Sequence, residues 1–460
     1  MHRSLSFYVR SVGRPGGSTC LSGRQALRVL RVCHVFLALV AGSAVHAQGP
    51  DLVGYWHNWN DGNAPYLELA QVDPRYSVVE VSFAVPAVGS TYDMVFAPAE
   101  TAPATFLADV AALQAQGRKV LISIGGANAT VHLDSDAERD QFVSSLLAIL
   151  DTYGFDGLDI DLEGASVAIS GGTIANPVDA RIIRLIDAVN TIADTFQNTH
   201  GIPMMLTMAP ETAYVQGGMS SFGGIWGAYL PLIDALRNRL DILQVQLYNS
   251  GSMYGIDGAT YTQGTADFIV SQTEALLQGF STAGGYFAPL PPEKVAIGLP
   301  ACPLAAGGGY VPPAVLEQAV DYLRGFGPQP GSYHRVGTYP TLRGLMTWSI
   351  NWDATANCSM PDEFAQAYQD LFGISTTVAE APHTDFLLWP NPLAAGVLHL
   401  GGLQGDERLL LLDALGRTVH TERATGERTT LTVDLPAGTY LLRVERDEVL
   451  LASRRVAVVR

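Results

Sequence analysis

Between Asp51 and about Gly373, short runs of β-branched and other apolar residues alternate with longer stretches in which apolar residues recur every three or four positions. That alternation is the pattern of repeated βα units and a parallel sheet. Eight runs read as strands: Leu52–Trp56, Val78–Phe83, Lys119–Ile124, Gly157–Leu162, Met204–Met208, Ile242–Leu247, Val295–Leu299 and Gly344–Ser349. Segments between them, such as Ala137–Tyr153 and Val178–Phe196, read as amphipathic helices with one buried stripe. The fold class is therefore α/β, and eight parallel strands with helices between them close into a (β/α)8 TIM barrel. An open doubly wound sheet is the alternative, and the chain lacks the G-x-G-x-x-G turn that marks one.

The texture changes after Thr376. A Pro-Asn-Pro turn at Pro390 leads into leucine-rich alternating strands, with further turns at Gly416 and at Pro436-Ala437-Gly438. This predicts a small all-β, sandwich-like C-terminal domain. At the other end, the first 47 residues hold six arginines and no acid, then the apolar run Val35–Val45 and the small-residue site Val45-His46-Ala47. That is the pattern of a cleaved signal peptide, and the run is too short to span a bilayer. The expected organisation is a signal peptide over 1–47, a catalytic barrel over 48–376, a linker over 377–384 and a β-rich domain over 385–460.

Composition narrows the function classes. With 48% apolar and 15% charged residues the chain is globular and buries a large core. Removing the six leader arginines takes Lys+Arg from 27 to 21 against 44 acids, a net charge of −23. Such a surface makes nucleic acid and anionic membranes poor partners. Export also leaves only Cys302 and Cys358, too few for a zinc site, in a compartment where disulfides persist. The two lie after the seventh and eighth strands, in adjacent loops on one rim, so a disulfide between them is expected.

Polar and aromatic residues gather at the carboxyl ends of the predicted strands, the rim where barrel active sites sit. In Asp156-Gly157-Leu158-Asp159-Ile160-Asp161-Leu162-Glu163, alternation puts Asp159, Asp161 and Glu163 on one strand face, pointing into the barrel mouth. Three carboxyls in one mouth repel, so at least one retains a proton near neutral pH, as a general acid requires. A divalent-metal site or a merely acidic strand end are the competing readings. Neither accounts for Trp56, Trp59, Trp348 and Trp352 at or just after strand ends, where exposed rings would stack on sugars.

The fourth-strand run fits the D-x-x-D-x-D-x-E pattern and Ser123-Ile124-Gly125-Gly126 fits the S-x-G-G pattern of the family 18 glycoside hydrolases, which the barrel resembles over roughly residues 51 to 373. The resemblance is to the bacterial chitinases lacking a barrel insertion. Gly54-Tyr55-Trp56, Thr207-Met208-Ala209-Pro210-Glu211, Gln244–Asn249 and Met346–Asp353 look like the same subgroup. It implies substrate-assisted retention, in which the sugar's acetamido oxygen replaces a carboxylate nucleophile. By matching positions, Glu163 is the acid and base, Asp161 orients the acetamido group, Asp159 shares charge and a proton with Asp161, and Tyr248 donates to the acetamido carbonyl. Trp348 would floor the sugar, with Tyr55, Met208, Gln246 and Asn249 completing the pocket. Asp156, Gly125 and Gly126 belong to the structural motif.

The implied substrate is chitin or chitooligosaccharides, hydrolysed by a secreted monomer that needs neither cofactor nor metal. Two positions depart from better-known members, which carry Met and Asp where this chain has Gln246 and Asn249. Only about a dozen residues separate Leu299 from the helical stretch at Pro313, so an inserted α+β wall is not expected and the cleft should be open. The tail from Asp385, with Trp389-Pro390-Asn391-Pro392, Leu412–Arg417 and Leu435–Tyr440, resembles the type A sorting domain of the type IX secretion system. A carbohydrate-binding sandwich is the alternative, against which stand only three aromatics, Phe386, Trp389 and Tyr440. The competing functions are an endo-β-N-acetylglucosaminidase acting on N-glycan cores and a chitin-binding lectin that has lost its acid.

Overall fold

A computed structural model describes residues 50–373, 387–393, 396–413, 417–446 and 449–459. The expected signal peptide over 1–47, the linker over 377–384, Phe386 and the turn at Gly416 lie outside the described residues.

The eight expected strands form, as β1 (Asp51–His57), β2 (Val78–Pro86), β3 (Lys119–Gly125), β4 (Gly157–Asp161), β5 (Met205–Met208), β6 (Ile242–Leu243), β7 (Ala296–Pro300) and β8 (Gly344–Trp348). They pair in parallel in the order β7-β8-β1-β2-β3-β4-β5-β6. Parallel bridges from Leu243 to Val295 and from Gln246 to Gly298 join β6 back to β7 and close the ring. The sixth run is regular only at Ile242–Leu243. Beyond it, Gln244 and Gln246 still donate backbone N–H bonds to Met208 and Pro210 at 2.9 Å each, so the chain keeps its place in the wall while leaving ideal strand geometry.

The helices pack outside. They are α1 (Pro103–Ala115), α2 (Asp136–Tyr153), α3 (Ala180–His200), α4 (Leu230–Leu236), α5 (Ala266–Gln278), α6 (Pro313–Arg324), α7 (Ile350–Asp353) and α8 (Glu363–Phe372). Local chemistry sets their ends: α2 opens on a capping box between Ser135 and Glu138, and α6 opens with a proline at its first turn. The buried stripe of α2, Phe142, Leu146, Ile149 and Leu150, covers the sheet. Each such side chain contributes about 1.5–3 kcal/mol when fully buried.

Alternation along the strands divides the barrel into an outer and an inner core. Leu52, Trp56, Val79, Val81, Ile122, Leu158, Ile160, Leu162 and Met208 face the helices. Val53, Val78, Leu121, Ile242, Ala296 and Met346 plug the interior. One step further along β1 to β6 the interior turns polar, with Tyr55, Glu80, Ser123, Asp159, Thr207 and Gln244 all buried. The reading of four rim tryptophans is corrected here. Trp56 is wholly buried on the helix-facing side of β1, bonding Leu67 O through Nε1 at 2.9 Å, and Trp352 lies on α7 with its ring buried in the outer core.

Pro300 and Pro313 bound the loop after β7, and no inserted domain interrupts it. A disulfide joins Cys302 in that loop to Cys358, with Cα atoms 5.8 Å apart. Two short hairpins unforeseen from the sequence, Ser252–Tyr254 with Thr260–Thr262 and Phe280–Thr282 with Gly285–Phe287, flank α5.

The C-terminal residues form two antiparallel sheets. One contains β9 (Leu387–Trp389), β10 (Val397–Gly401) and β13 (Arg428–Thr432); the other contains β11 (Arg408–Leu412), β12 (Thr418–Arg423), β14 (Gly438–Arg446) and β15 (Val449–Val458). Leu398, Leu400 and Leu431 from the first share one core with Leu409, Leu411, Leu442 and Val444 from the second, as in a sandwich.

Candidate active site

The acids of the fourth-strand run fall into three different environments. Asp156 sits at the amino end of β4, far along the strand from the mouth. It accepts from Lys119 Nζ at 2.8 Å, Val120 N at 2.9 Å and Gln114 Nε2 at 2.9 Å, clamping β3 to β4.

Asp159, two residues into β4, is fully buried in the polar tier and does not line the mouth itself. Its Oδ2 accepts from Tyr55 Oη at 2.7 Å and Ser123 Oγ at 2.6 Å, and its Oδ1 lies 2.7 Å from Thr207 Oγ1. Burial raises its pKa, while the three hydroxyls pull it back down.

Asp161 and Glu163 lie at the mouth under one amide. Gln246 Nε2 shares its two N–H groups among three acceptors, Asp161 Oδ1 at 2.8 Å, Glu163 Oε1 at 3.1 Å and Ala209 O at 3.0 Å. Burial, followed by the charges of Glu163, Asp159 and Glu80, pushes Asp161 well above the ordinary carboxyl range. Glu163 is also raised, by burial, against the lowering hydrogen bonds of Gln246 and Asp161. The mouth therefore holds a proton that acids in water would lose.

These groups open into a cleft of about 850 Å³ walled by Trp59, Phe83, Tyr248, Asn249 and Trp348 and extending over the loops after β2 and β3. Gly125 and Gly126 floor it with positive φ of 104° and 74°. A Cβ on Gly125 would lie 2.2 Å from Asp161 O, and one on Gly126 2.7 Å from the Phe83 ring, so only glycine lets β3 pass this close to the acids. Phe83 and Trp348 stack at 6.0 Å with a 12° interplanar angle, and Tyr55 packs against Trp348 at 5.5 Å. Asn249 adopts a left-handed conformation at φ 53° and donates its N–H to Gly308 O at 3.0 Å.

Two residues of the expected pocket lie elsewhere. Met208 is fully buried in the helix-facing core, because alternation turns its neighbours Thr207 and Ala209 inward and Met208 out. That placement corrects the reading of Met208 as a sugar contact. Tyr55 is one tier below the cleft, packed beneath its wall residues Phe83 and Trp348 and bonded to Asp159 at 2.7 Å.

Other groups at the site escaped sequence reasoning. Glu80 on β2 is wholly buried; its carboxyl takes Gln244 Nε2 at 2.6 and 2.8 Å and faces Thr207 Oγ1 at 2.9 Å. The signal was the same alternation: in Val78-Val79-Glu80-Val81-Ser82, the glutamate shares the inward face with Val78. His57 stacks on Trp59 at 4.4 Å and lies 2.8 Å from Ser349 Oγ through Nε2. Burial lowers its pKa to about 4, so the ring is neutral at neutral pH. Among the described residues, no cluster of three or more His, Cys, Asp or Glu side chains is arranged to hold a metal.

Comparison with known proteins agrees with this geometry. Residues 51–308 match the profile of Glycosyl hydrolases family 18. Chitinase Chi52 of Paenibacillus xylanexedens is 48% identical over 333 residues, covering 71% of this chain and 62% of its own. Chitinase D of Niallia circulans is 47% identical over 373 residues, covering 78% and 70%. The alignments thus span about two thirds of the length of these relatives. The crystal structure of a family GH18 chitinase from Chromobacterium violaceum superposes with a TM-score of 0.62 at 36% identity, covering 70% of this chain and 83% of that one. The carboxyl ladder of β4, the glycine floor of β3 and these matches together establish that the chain belongs to glycosyl hydrolase family 18.

Proposed function

We propose that the chain is a secreted chitinase that cuts internal β-1,4 bonds between N-acetylglucosamine units with retention, the substrate's own acetamido oxygen acting as nucleophile. The observation that carries this reading is the pairing of Asp161 and Glu163 under the Gln246 amide, at 2.8 and 3.1 Å, in a cleft walled by Tyr248 and Trp348.

Glu163 protonates the leaving oxygen and then activates water. Its raised pKa keeps it protonated where an ordinary glutamate is ionised, as that role needs. Asp161 orients and stabilises the acetamido group as the oxazolinium forms, Asp159 shares charge and a proton with it, and Tyr248 donates to the acetamido carbonyl. Trp348 floors the sugar at the bond being cut; Gln246 and Asn249 complete the pocket. No carboxylate is assigned as nucleophile, in keeping with the substrate-assisted exception among retaining glycosidases. The absence of an inserted domain between Pro300 and Pro313 supports attack within chains and release of short oligomers.

The proposed organisation is a signal peptide over 1–47, the catalytic domain over 48–376, a linker over 377–384 and a type IX sorting domain over 385–460. The disulfide supports an exported chain. In the tail, the described aromatics are Trp389 and a buried Tyr440, too few to make a platform for polysaccharide.

The test compares colloidal chitin with an N-glycosylated protein as substrates. Soluble N-acetylglucosamine oligomers released from chitin are the expected result. Glycan release from the glycoprotein without attack on chitin would make the enzyme an endo-β-N-acetylglucosaminidase, and chitin binding without release of sugar would make it a lectin.

A further inference from the structure

Beneath the acids of the mouth, a second carboxyl faces Asp159 across a single hydroxyl. Thr207 Oγ1 stands 2.9 Å from Glu80 Oε1 and 2.7 Å from Asp159 Oδ1. A threonine hydroxyl carries one proton and so donates to only one of them. The other carboxyl must then donate to the hydroxyl oxygen, or two sets of lone pairs would oppose each other in a site without water access, at the cost of an unmade buried bond. One of the two carboxyls is therefore an acid.

The surroundings say which. Asp159 has two further hydroxyl donors, Tyr55 Oη and Ser123 Oγ, on its other oxygen, a set that stabilises a carboxylate. Apart from Thr207, Glu80 has the Gln244 amide, whose Nε2 lies against both Glu80 oxygens while its Oε1 has no partner, and the Tyr55 hydroxyl, whose one proton goes to Asp159 at 2.7 Å. Turning that amide over would set an acceptor against Glu80, which again needs a proton on the carboxyl. The titratable groups facing Glu80 are Tyr55 from β1, Asp159 and Asp161 from β4, and Tyr248 beyond β6. Neither lysine offsets them, since Lys119 is bound to Asp156 and Lys294 to Arg237 O. Burial and the Asp159 charge also push Glu80 well above the ordinary carboxyl range.

We propose that Glu80 is a positioning residue that stays protonated at neutral pH and donates to Thr207, fixing the Thr207 hydroxyl as a donor to an ionised Asp159. The proposal rests on the hydrolase reading only for its consequence, which refines the shared-proton role given to Asp159 above: with Glu80 as the acid, the proton shared along the β4 carboxyls sits between Asp161 and Glu163, and Asp159 carries charge. Glu80 touches no substrate and acts through Asp159.

The first test needs no activity. Infrared difference spectra of the substrate-free protein at about pH 7, wild type minus Glu80→Gln, report protonated carboxyl groups by their C=O stretch. A protonated-carboxyl band present in wild type and lost in the variant is expected. Loss of a carboxylate band with no loss from the acid region would overturn the proposal. If Glu80→Gln does not fold, the difference spectrum of wild type minus Thr207→Val gives a second reading: an acid band that shifts in frequency is expected if Glu80 donates to Thr207, and an acid region unchanged by the substitution overturns the proposal. The second test is kinetic. Glu80→Leu, which cannot donate to Thr207, should lower kcat by about 10²-fold with KM little changed, and should move the pH profile. Glu80→Gln, whose amide donates in place of the acid, should recover most of that loss. A Glu80→Gln profile displaced to lower pH by about one unit or more would mean that a charge had been removed, and that Glu80 was ionised. Failure of wild type to release sugar from chitin would sink the chitinase reading alone and leave the infrared result standing.

Discussion

At the residue scale, the pH behaviour of the mouth turns on Gln246. Its amide favours the ionised forms of Asp161 and Glu163, opposing the burial that raises both. Gln246→Leu removes that donor, so both pKa values rise further. The alkaline limb of kcat/KM, which on our reading marks loss of the Glu163 proton, should therefore move to higher pH. A profile on soluble chitooligosaccharide that stays put or moves down would refute this. Stability follows with the opposite benefit. A carboxyl whose pKa is higher folded than unfolded stabilises the fold below the unfolded pKa, and that contribution is lost as pH rises through the folded value. Glu163→Gln should thus melt higher than wild type by a margin that grows as pH rises from the ordinary carboxyl range to neutrality and vanishes below it. A variant that melts lower at neutral pH would contradict the account. Asp161, Glu163, Gln246 and Trp348 were readable at this scale because strand alternation and a spaced motif place them together. Met208 was misread because a motif names neighbours without saying which side chain turns inward.

At the element scale, short apolar runs set between helical stretches were enough to find all eight barrel strands, yet period-two alternation was followed inward on β4 alone. Applied equally to β2, β5 and β6, it would have exposed Glu80, Thr207 and Gln244, polar residues on faces otherwise occupied by Val78, Met205 and Ile242. What alternation could not supply was depth. Asp159 and Asp161 are two residues apart, about 7 Å along a strand, and that step separates a hydroxyl-saturated carboxylate from one at the cleft. The tryptophans failed for a related reason: a position near a strand end does not fix whether the ring faces solvent, and Trp56 and Trp352 are core. The close passage of β3 beside β4 yields its own prediction. Gly125→Ala would force a left-handed backbone on alanine and set its Cβ against Asp161 O. It should cost about 1–3 kcal/mol in strain at that backbone, more if the clash cannot relax. It should also depress kcat on chitooligosaccharide, since the acids move with the strand. Wild-type melting and turnover in Gly125→Ala would show that the glycine floor does not hold the site.

At the scale of the whole molecule, the barrel carries its own fastenings and its own core. The Cys302–Cys358 bond closes the chain between the last two loops, across a sequence separation of 56. In the chain-entropy model such a loop contributes about 4 kcal/mol at most. Reduction should therefore lower the melting temperature of the barrel while the acids on β4 stay in place, and an unchanged melting temperature would show the bond to be dispensable. The tail core contains no barrel residue, so truncation at Ala381 should leave purified activity on soluble substrate intact; on the sorting reading proposed for the tail, the same truncation should strand the enzyme inside a host with the secretion machinery. Weaker adsorption to chitin with normal export would instead assign the tail to carbohydrate binding. The outline of this architecture, barrel then β-sandwich, was legible from texture alone, whereas the disulfide geometry and the two hairpins around α5 depend on contacts between segments far apart in sequence. The central claim is that Glu163 serves as both acid and base in one cleft, and turnover of chitooligosaccharide by Glu163→Gln tests it most directly. With each function worth about 10²–10⁴, the account predicts a folded, substrate-binding variant slowed by several orders of magnitude, and near-normal turnover would contradict it.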